Sequence, residues 1–155
     1  MGGQTVAQEH IDKLPYTRQV IQEAMRLYPP APLIVRASTR DVRIGDLPIA
    51  KGTPIYIPIY AVHRHRALWS DPDLFDPDRF TPDQLSARDR YTYLPFGAGP
   101  RICIGMSFAL AEATVILATL LRATRLSVNP RYTPALKMRI TLRPDGGMPM
   151  IVRAR

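Results

Sequence analysis

Apolar residues fall along this chain in two helical patterns and several short extended ones. Residues 106–121 hold neither Gly nor Pro and are rich in Ala, Leu and Met, strong helix formers, so they predict the longest helix. Phe108, Leu110, Val115, Ile116, Leu117 and Leu120 do not collect on one stripe, which calls for burial on nearly every side. The run is shorter than the roughly 20 apolar residues of a membrane span, and Glu112 interrupts it. A buried core helix is therefore expected, not a transmembrane one. A second helix is predicted from Pro15 to Leu27. Proline suits its first turn, Val20, Ala24 and Leu27 give it an apolar side, and Tyr28-Pro29-Pro30 stops it.

Between and after these helices the pattern is extended. Residues 33–38, 42–44 and 54–59 are β-branched and aromatic, separated by Gly45-Asp46 and Lys51-Gly52 turns. Pro54 and Pro58 confine the last of these strands to an edge or a strand end. Residues 60–69 read as a short helix ended by Ser70-Asp71-Pro72, and residues 71–94 are irregular and rich in Pro and Asp. Residues 126–128 open the closing segment. There, 138–142 and 148–152 flank Pro144-Asp145-Gly146-Gly147, a hairpin signal.

Composition narrows this little. The chain has 155 residues, the size of one domain, and 21 Lys plus Arg against 13 Asp plus Glu, a formal net charge of +8. Lysine occurs only at Lys13, Lys51 and Lys137, so the charge is almost all arginine. With no helix-turn-helix, zinc finger or basic stripe interleaved with aromatics, nucleic acid is not expected as a partner. The N-terminal segment is polar and lacks an apolar signal core. A single cysteine excludes a disulfide framework and fits a reducing compartment, so a cytoplasmic location is expected.

That cysteine carries the chemistry. Cys103 sits where a loop broken by Gly97, Gly99 and Pro100 becomes the long apolar helix, close to unpaired amides and the positive end of the helix dipole. Physics alone leaves three readings: a small buried hydrophobe, a reactive thiol, or a metal ligand. Zinc needs three or four ligands at close spacing, which no second Cys or nearby His supplies. A haem needs only one axial ligand from the protein.

Phe96-x-x-Gly99-x-Arg101-x-Cys103-x-Gly105 resembles in full the haem-binding signature of the cytochrome P-450 superfamily. Upstream, Glu23-Ala24-Met25-Arg26 before Tyr28-Pro29-Pro30 resembles that family's K helix, and Asp76-Pro77-Asp78-Arg79-Phe80 its Pro-x-Arg-Phe segment. The resemblance implies haem b held by Cys103 as axial ligand. It further implies Arg101 on one propionate, Arg36 on a second, Phe96 beside the sulfur, and Gly99 and Gly105 letting the loop pass close under the porphyrin. It implies a buried structural network of Glu23, Arg26 and Arg79 beneath the loop. Ala31, Leu33, Ile34 and Val35 become candidate substrate contacts. His63 and His65, two apart, are a poor metal pair and belong to a stretch that is structural in the family.

The likeness runs from about residue 14 to 152, with residues 1–13 a polar tail and 14–155 an incomplete P-450 domain. The implied fold class is α+β, the C-terminal part of the family's mainly helical fold: K-type helix, small sheet segments, meander, cysteine loop, long buried helix and C-terminal hairpin. The implied activity is oxidation of a small apolar substrate with O2 and two electrons from an acidic ferredoxin, flavodoxin or reductase. Arg88, Arg90, Arg122 and Arg125 are the candidate docking charges. The family's oxygen-activating helix, with its acid and threonine, has no counterpart, since Glu9 and Thr5 sit in the polar tail. A truncated remnant, one half of a split enzyme, and a Cys103-dependent thiol enzyme are the alternatives. The isolated chain is expected to aggregate.

Overall fold

A computed structural model describes residues 8–155, so Thr5 lies outside the described residues. A 3-10 helix, Gln8–Lys13, leads into α1 (Pro15–Leu27). Strands β1 (Ile34–Ala37), β2 (Val42–Ile44), β3 (Leu47–Ile49) and β4 (Pro54–Ile57) follow, then the one-turn helix α2 (Ile59–Val62). An irregular stretch holds the 3-10 turn Pro77–Phe80 and the short α3 (Pro82–Ala87). After the cysteine loop come α4 (Met106–Ala123), β5 (Thr124–Val128), β6 (Leu136–Met138), β7 (Leu142–Pro144) and β8 (Met150–Ala154).

α1 begins on its proline as predicted and closes with the Tyr28 N–H on the Ala24 carbonyl at 2.8 Å. β1 pairs antiparallel with β4, Ile34 opposite Ile57, and Pro54 and Pro58 fall at the ends of that strand. Between them β2 and β3 form a hairpin turning at Gly45, whose φ of +57° a glycine adopts without strain. β3 carries no sequence signal because Pro48 breaks its pattern. The helix expected over 60–69 stops at Val62. Beyond it, turn bonds such as Leu68 N–H to His65 O at 2.9 Å replace the helical ladder.

The C-terminal hairpin forms with different partners from those expected. β6 pairs with β7, and β8 runs antiparallel to β5, Thr124 opposite Ala154. Pro144–Gly147 does not fold 148–152 back onto 138–142. Met138 and Leu142 pair with each other, so residues 138–142 are themselves the turn of the β6–β7 hairpin, and the Asp145 N–H extends that ladder to the Ala135 carbonyl at 2.8 Å. Gly146 and Gly147, at φ +76° and +86°, then swing the chain across to β5.

Among the described residues, charged and polar side chains share the core with apolar ones. Leu27, Ile59, Trp69 and Phe80 are buried together with Glu23, Arg26, His63 and Arg79. α1 packs on Pro77–Phe80 and on α4. α4 forms as predicted but is not enclosed. Thr114 is its one buried residue, Phe108 is 73% exposed, and Ile116, Leu120 and Leu121 also face out. Within this chain α1, Gln8–Lys13 and β5 lie against it, which leaves several of its sides open. By length and composition α4 also qualifies to cross a membrane, a test that the core helix of a soluble protein passes equally.

Candidate functional site

The loop before α4 is a closed bend. The Gly97 N–H donates to the Leu94 carbonyl at 3.0 Å, and the Cys103 N–H to the Phe96 carbonyl at 2.9 Å. Gly97 and Gly99 take φ of +73° and +72°, conformations that cost other residues strain. A Cβ on Gly97 would also lie 3.4 Å from the Ile34 Cδ1, so this glycine provides both backbone freedom and a close approach to β1. Gly105 differs. It is the N-cap of α4 at φ −83°, and a Cβ there would meet the Cys103 Sγ at 3.9 Å. Its smallness leaves room beside sulfur.

Cys103 is exposed, flanked by the exposed Ile102 and the fully exposed Ile104. Arg101 lines a cleft with Val35, Arg36, Ala37 and Thr39, so the two arginines singled out by sequence come to one place. Arg36 is exposed, its Nη1 donating to the Val35 carbonyl at 2.9 Å. Phe96 is half-buried and lines a cavity of about 400 Å³ with Met25, Leu94, Met106 and Leu110, between α1 and α4. Of the candidate substrate contacts, Leu33 and Val35 are exposed, Ala31 and Ile34 half-buried, and Ile34 reaches Gly97.

In the core the three charged residues meet. Arg26 uses all five of its N–H donors. Nε and Nη2 go to Glu23 Oε2 and Oε1 at 2.6 and 2.8 Å. Nη1 goes to the carbonyls of His63 and Pro72 at 2.8 and 2.7 Å, and Nη2 also to that of Leu74 at 3.1 Å. Glu23 Oε1 also accepts the Asp76 N–H at 2.9 Å. Arg79 approaches the same oxygen at 3.6 Å, an ion pair without a hydrogen bond, while its Nη2 donates to the Asp71 carbonyl at 3.1 Å. The Trp69 ring lies against two guanidiniums, Arg26 at 5.0 Å and Arg88 at 4.3 Å from its centre. Arg88 is therefore not a free docking charge. Its Nη2 donates to the Arg79 carbonyl at 2.6 Å, and burial, then the Arg79 charge, lowers its pKa.

His63, expected only to belong to a structural stretch, has specific partners. Fully buried, its ring stacks on Tyr93 with centroids 5.3 Å apart. The Leu94 N–H points at Nε2 at 2.8 Å, and Nδ1 lies 3.2 Å from the Arg26 carbonyl. An amide only donates, so Nε2 accepts and Nδ1 carries the proton. Burial holds the ring's pKa down at about 4; the Arg26 carbonyl opposes this shift, and the charges of Arg26 and Arg64 reinforce it. The Tyr93 hydroxyl donates to the Gln22 carbonyl at 3.0 Å, and burial pushes its pKa well up. The His65 ring accepts the Ala67 N–H at 3.2 Å. Both rings singled out by sequence are thus engaged away from Cys103, which gives the thiol-enzyme alternative no imidazole base from that segment.

A cytochrome P450 family model matches residues 1–149 of this chain. The chain belongs to the cytochrome P450 family. It is 39% identical over 153 residues to cytochrome P450 714C3 of Oryza sativa subsp. japonica, covering 97% of this chain and 30% of that protein. With a cytokinin hydroxylase of Arabidopsis thaliana it shares 39% identity over 146 residues, 94% of this chain and 28% of the relative. The crystal structure of the cytochrome P450DA heme domain superposes with a TM-score of 0.91 at 33% identity, covering 99% of this chain and 34% of that one. The chain thus spans about 30% of the length of the curated P450s it matches.

The residues of this P450 chain fit a haem. Among the described residues no group of three or more His, Cys, Asp or Glu comes together to hold a bare metal ion. One accessible cysteine suffices for an axial ligand. The cleft shared by Arg36 and Arg101 offers guanidiniums to carboxylates, and the exposed Ile102 and Ile104 offer apolar surface to a macrocycle.

Proposed function

We propose that this chain is the haem-ligand portion of a P450 monooxygenase that oxidises a small apolar substrate with O2 and two electrons from a redox partner. Haem b, when bound, supplies the oxygen-activating chemistry. The protein's part is to hold it, with Cys103 as axial ligand, Arg101 and Arg36 toward its carboxylates, and Phe96, Gly99 and Gly105 shaping the loop. Glu23, Arg26 and Arg79 anchor that loop from below. Ala31, Leu33, Ile34 and Val35 lie on the segment that faces substrate. The observation that carries the reading is an exposed lone cysteine on a hydrogen-bonded loop whose Gly97 and Gly99 hold positive φ. The hydroxylase activity in the name of the Arabidopsis relative supports the reaction class.

The electron donor in this reading is an acidic ferredoxin, flavodoxin or reductase in the cytoplasm, drawn to the exposed Arg90, Arg122 and Arg125. The test of the haem assignment is spectroscopic. The chain, reconstituted with haem, reduced and exposed to carbon monoxide, is expected to show a red-shifted thiolate-type Soret band that Cys103→Ala abolishes. A band that survives the substitution overturns the assignment.

A further inference from the structure

We infer that His63 is the positioning residue that ties the cysteine loop to the buried ion network, and that it does so only as the neutral imidazole carrying its proton on Nδ1. The two ends of the tie are both main-chain groups. Nδ1–H donates to the carbonyl of Arg26, in the last turn of α1, at 3.2 Å. Nε2 accepts the N–H of Leu94, whose own carbonyl receives the Gly97 N–H at 3.0 Å and so closes the first bend of the loop. Arg26 returns a bond to the His63 carbonyl at 2.8 Å, so the two residues lock each other.

No other described side chain bonds the Leu94 amide, and none of the ring's neighbours can replace the acceptor. Around the ring stand Arg26 on α1, paired there with Glu23, then Arg64 beside it on its own turn, and Tyr93 stacked on its face. The nearest fixed charges are thus guanidiniums, which oppose an imidazolium. A proton added at Nε2 would set a donor against the donor N–H of Leu94 and put a third positive charge beside two arginines. Acid therefore does not merely charge this histidine. It removes the acceptor that seats the segment entering the loop.

Two readouts on the full chain test this without relying on turnover. Ring nitrogen shifts should show Nδ1 protonated and Nε2 bare. Hydrogen exchange at Leu94 should lose protection about tenfold per pH unit from roughly pH 6.5 down to 4, near 300-fold in all, because the open form binds the proton that the closed form refuses. His63→Gln keeps an acceptor that cannot titrate, and its Leu94 protection factor should be flat over that range. Either the opposite tautomer in the wild type, or a His63→Gln variant with the wild-type pH slope, overturns the inference. The ring shifts require no variant, so a His63→Gln chain that fails to fold leaves the test intact.

The consequence for cofactor rests on the proposed function above. In the haem-loaded chain the thiolate-type signature should fade over the same acid range, and hold in His63→Gln. A chain with no such signature at any pH, but with Leu94 exchange that follows His63, rejects the haem reading and keeps the tie. A signature lost identically in both proteins rejects the tie and keeps the haem.

Discussion

Arg26 holds Glu23 through two parallel bonds, Nε to Oε2 at 2.6 Å and Nη2 to Oε1 at 2.8 Å, and neither side chain is exposed to solvent. Two charges three residues apart on one helix would be of small consequence on a surface. Here the pair is out of water, and every remaining donor of Arg26 is spent on carbonyls of His63, Pro72 and Leu74. Arg26→Ala strands a buried carboxylate and frees those carbonyls, so it should cost about 3–5 kcal/mol or prevent folding. Chemical denaturation of both proteins measures it, and a cost under about 1 kcal/mol would show the pair to be a surface-type contact.

Arg79 should matter less than Arg26 and more than an exposed arginine. It reaches Glu23 only at 3.6 Å, yet it is 9% exposed and bonds the Asp71 carbonyl at 3.1 Å. Arg79→Ala should therefore destabilise by several kcal/mol, below the Arg26→Ala figure. The reverse order in the same denaturation series would mean that Glu23 depends chiefly on Arg79.

Acid should weaken the fold through His63. Its pKa is about 4 in the folded chain and 6.5 in the ordinary state. The unfolded chain thus binds the extra proton first as pH falls. The stabilisation is present in full above about pH 6.5, declines from there to pH 4, and amounts to about 3 kcal/mol. Denaturation midpoints at pH 7, 5.5 and 4.5 should fall in that order. In His63→Gln the part of the decline due to this histidine should vanish, and an identical decline would assign it to other groups.

The glycines of the loop should separate by role. Gly97→Ala must hold an alanine at φ +73° against the Ile34 Cδ1 and should cost about 1–2 kcal/mol. Gly105→Ala has ordinary backbone and only the sulfur at 3.9 Å for company. It should leave stability within about 0.5 kcal/mol while weakening haem uptake, measured by titration with haemin. Equal losses of stability in both variants would contradict the distinction.

The open faces of α4 should show in solution. Phe108, Ile116, Leu120 and Leu121 present apolar area to water on more than one side of the helix, and such surface favours association. Sedimentation should reveal concentration-dependent association of the chain, reduced by Phe108→Glu with Ile116→Lys. A wild type that stays monomeric at all concentrations would show that these faces are not sticky.

Sequence alone determined the local pieces and the chemistry of the loop. Helices α1 and α4, strands β1, β2 and β4, and the Phe96-to-Gly105 signature all follow from propensity, Gly and Pro punctuation and fixed short spacing. Such signals act between near neighbours in the chain. What only the tertiary structure decided is who meets whom across it. β8 pairs with β5 and not with residues 138–142, whose ends Met138 and Leu142 face each other in the β6–β7 hairpin. Arg88 turned from solvent to lie over Trp69, where burying a guanidinium's flat face on an aromatic competes with leaving it hydrated. His63, one member of the His-Arg-His stretch, found Arg26 37 positions upstream and Leu94 31 positions downstream. No pattern in the sequence encodes those two distances. They are set when α1, the turn after α2 and the loop entrance pack together and leave one carbonyl and one amide within reach of the same ring.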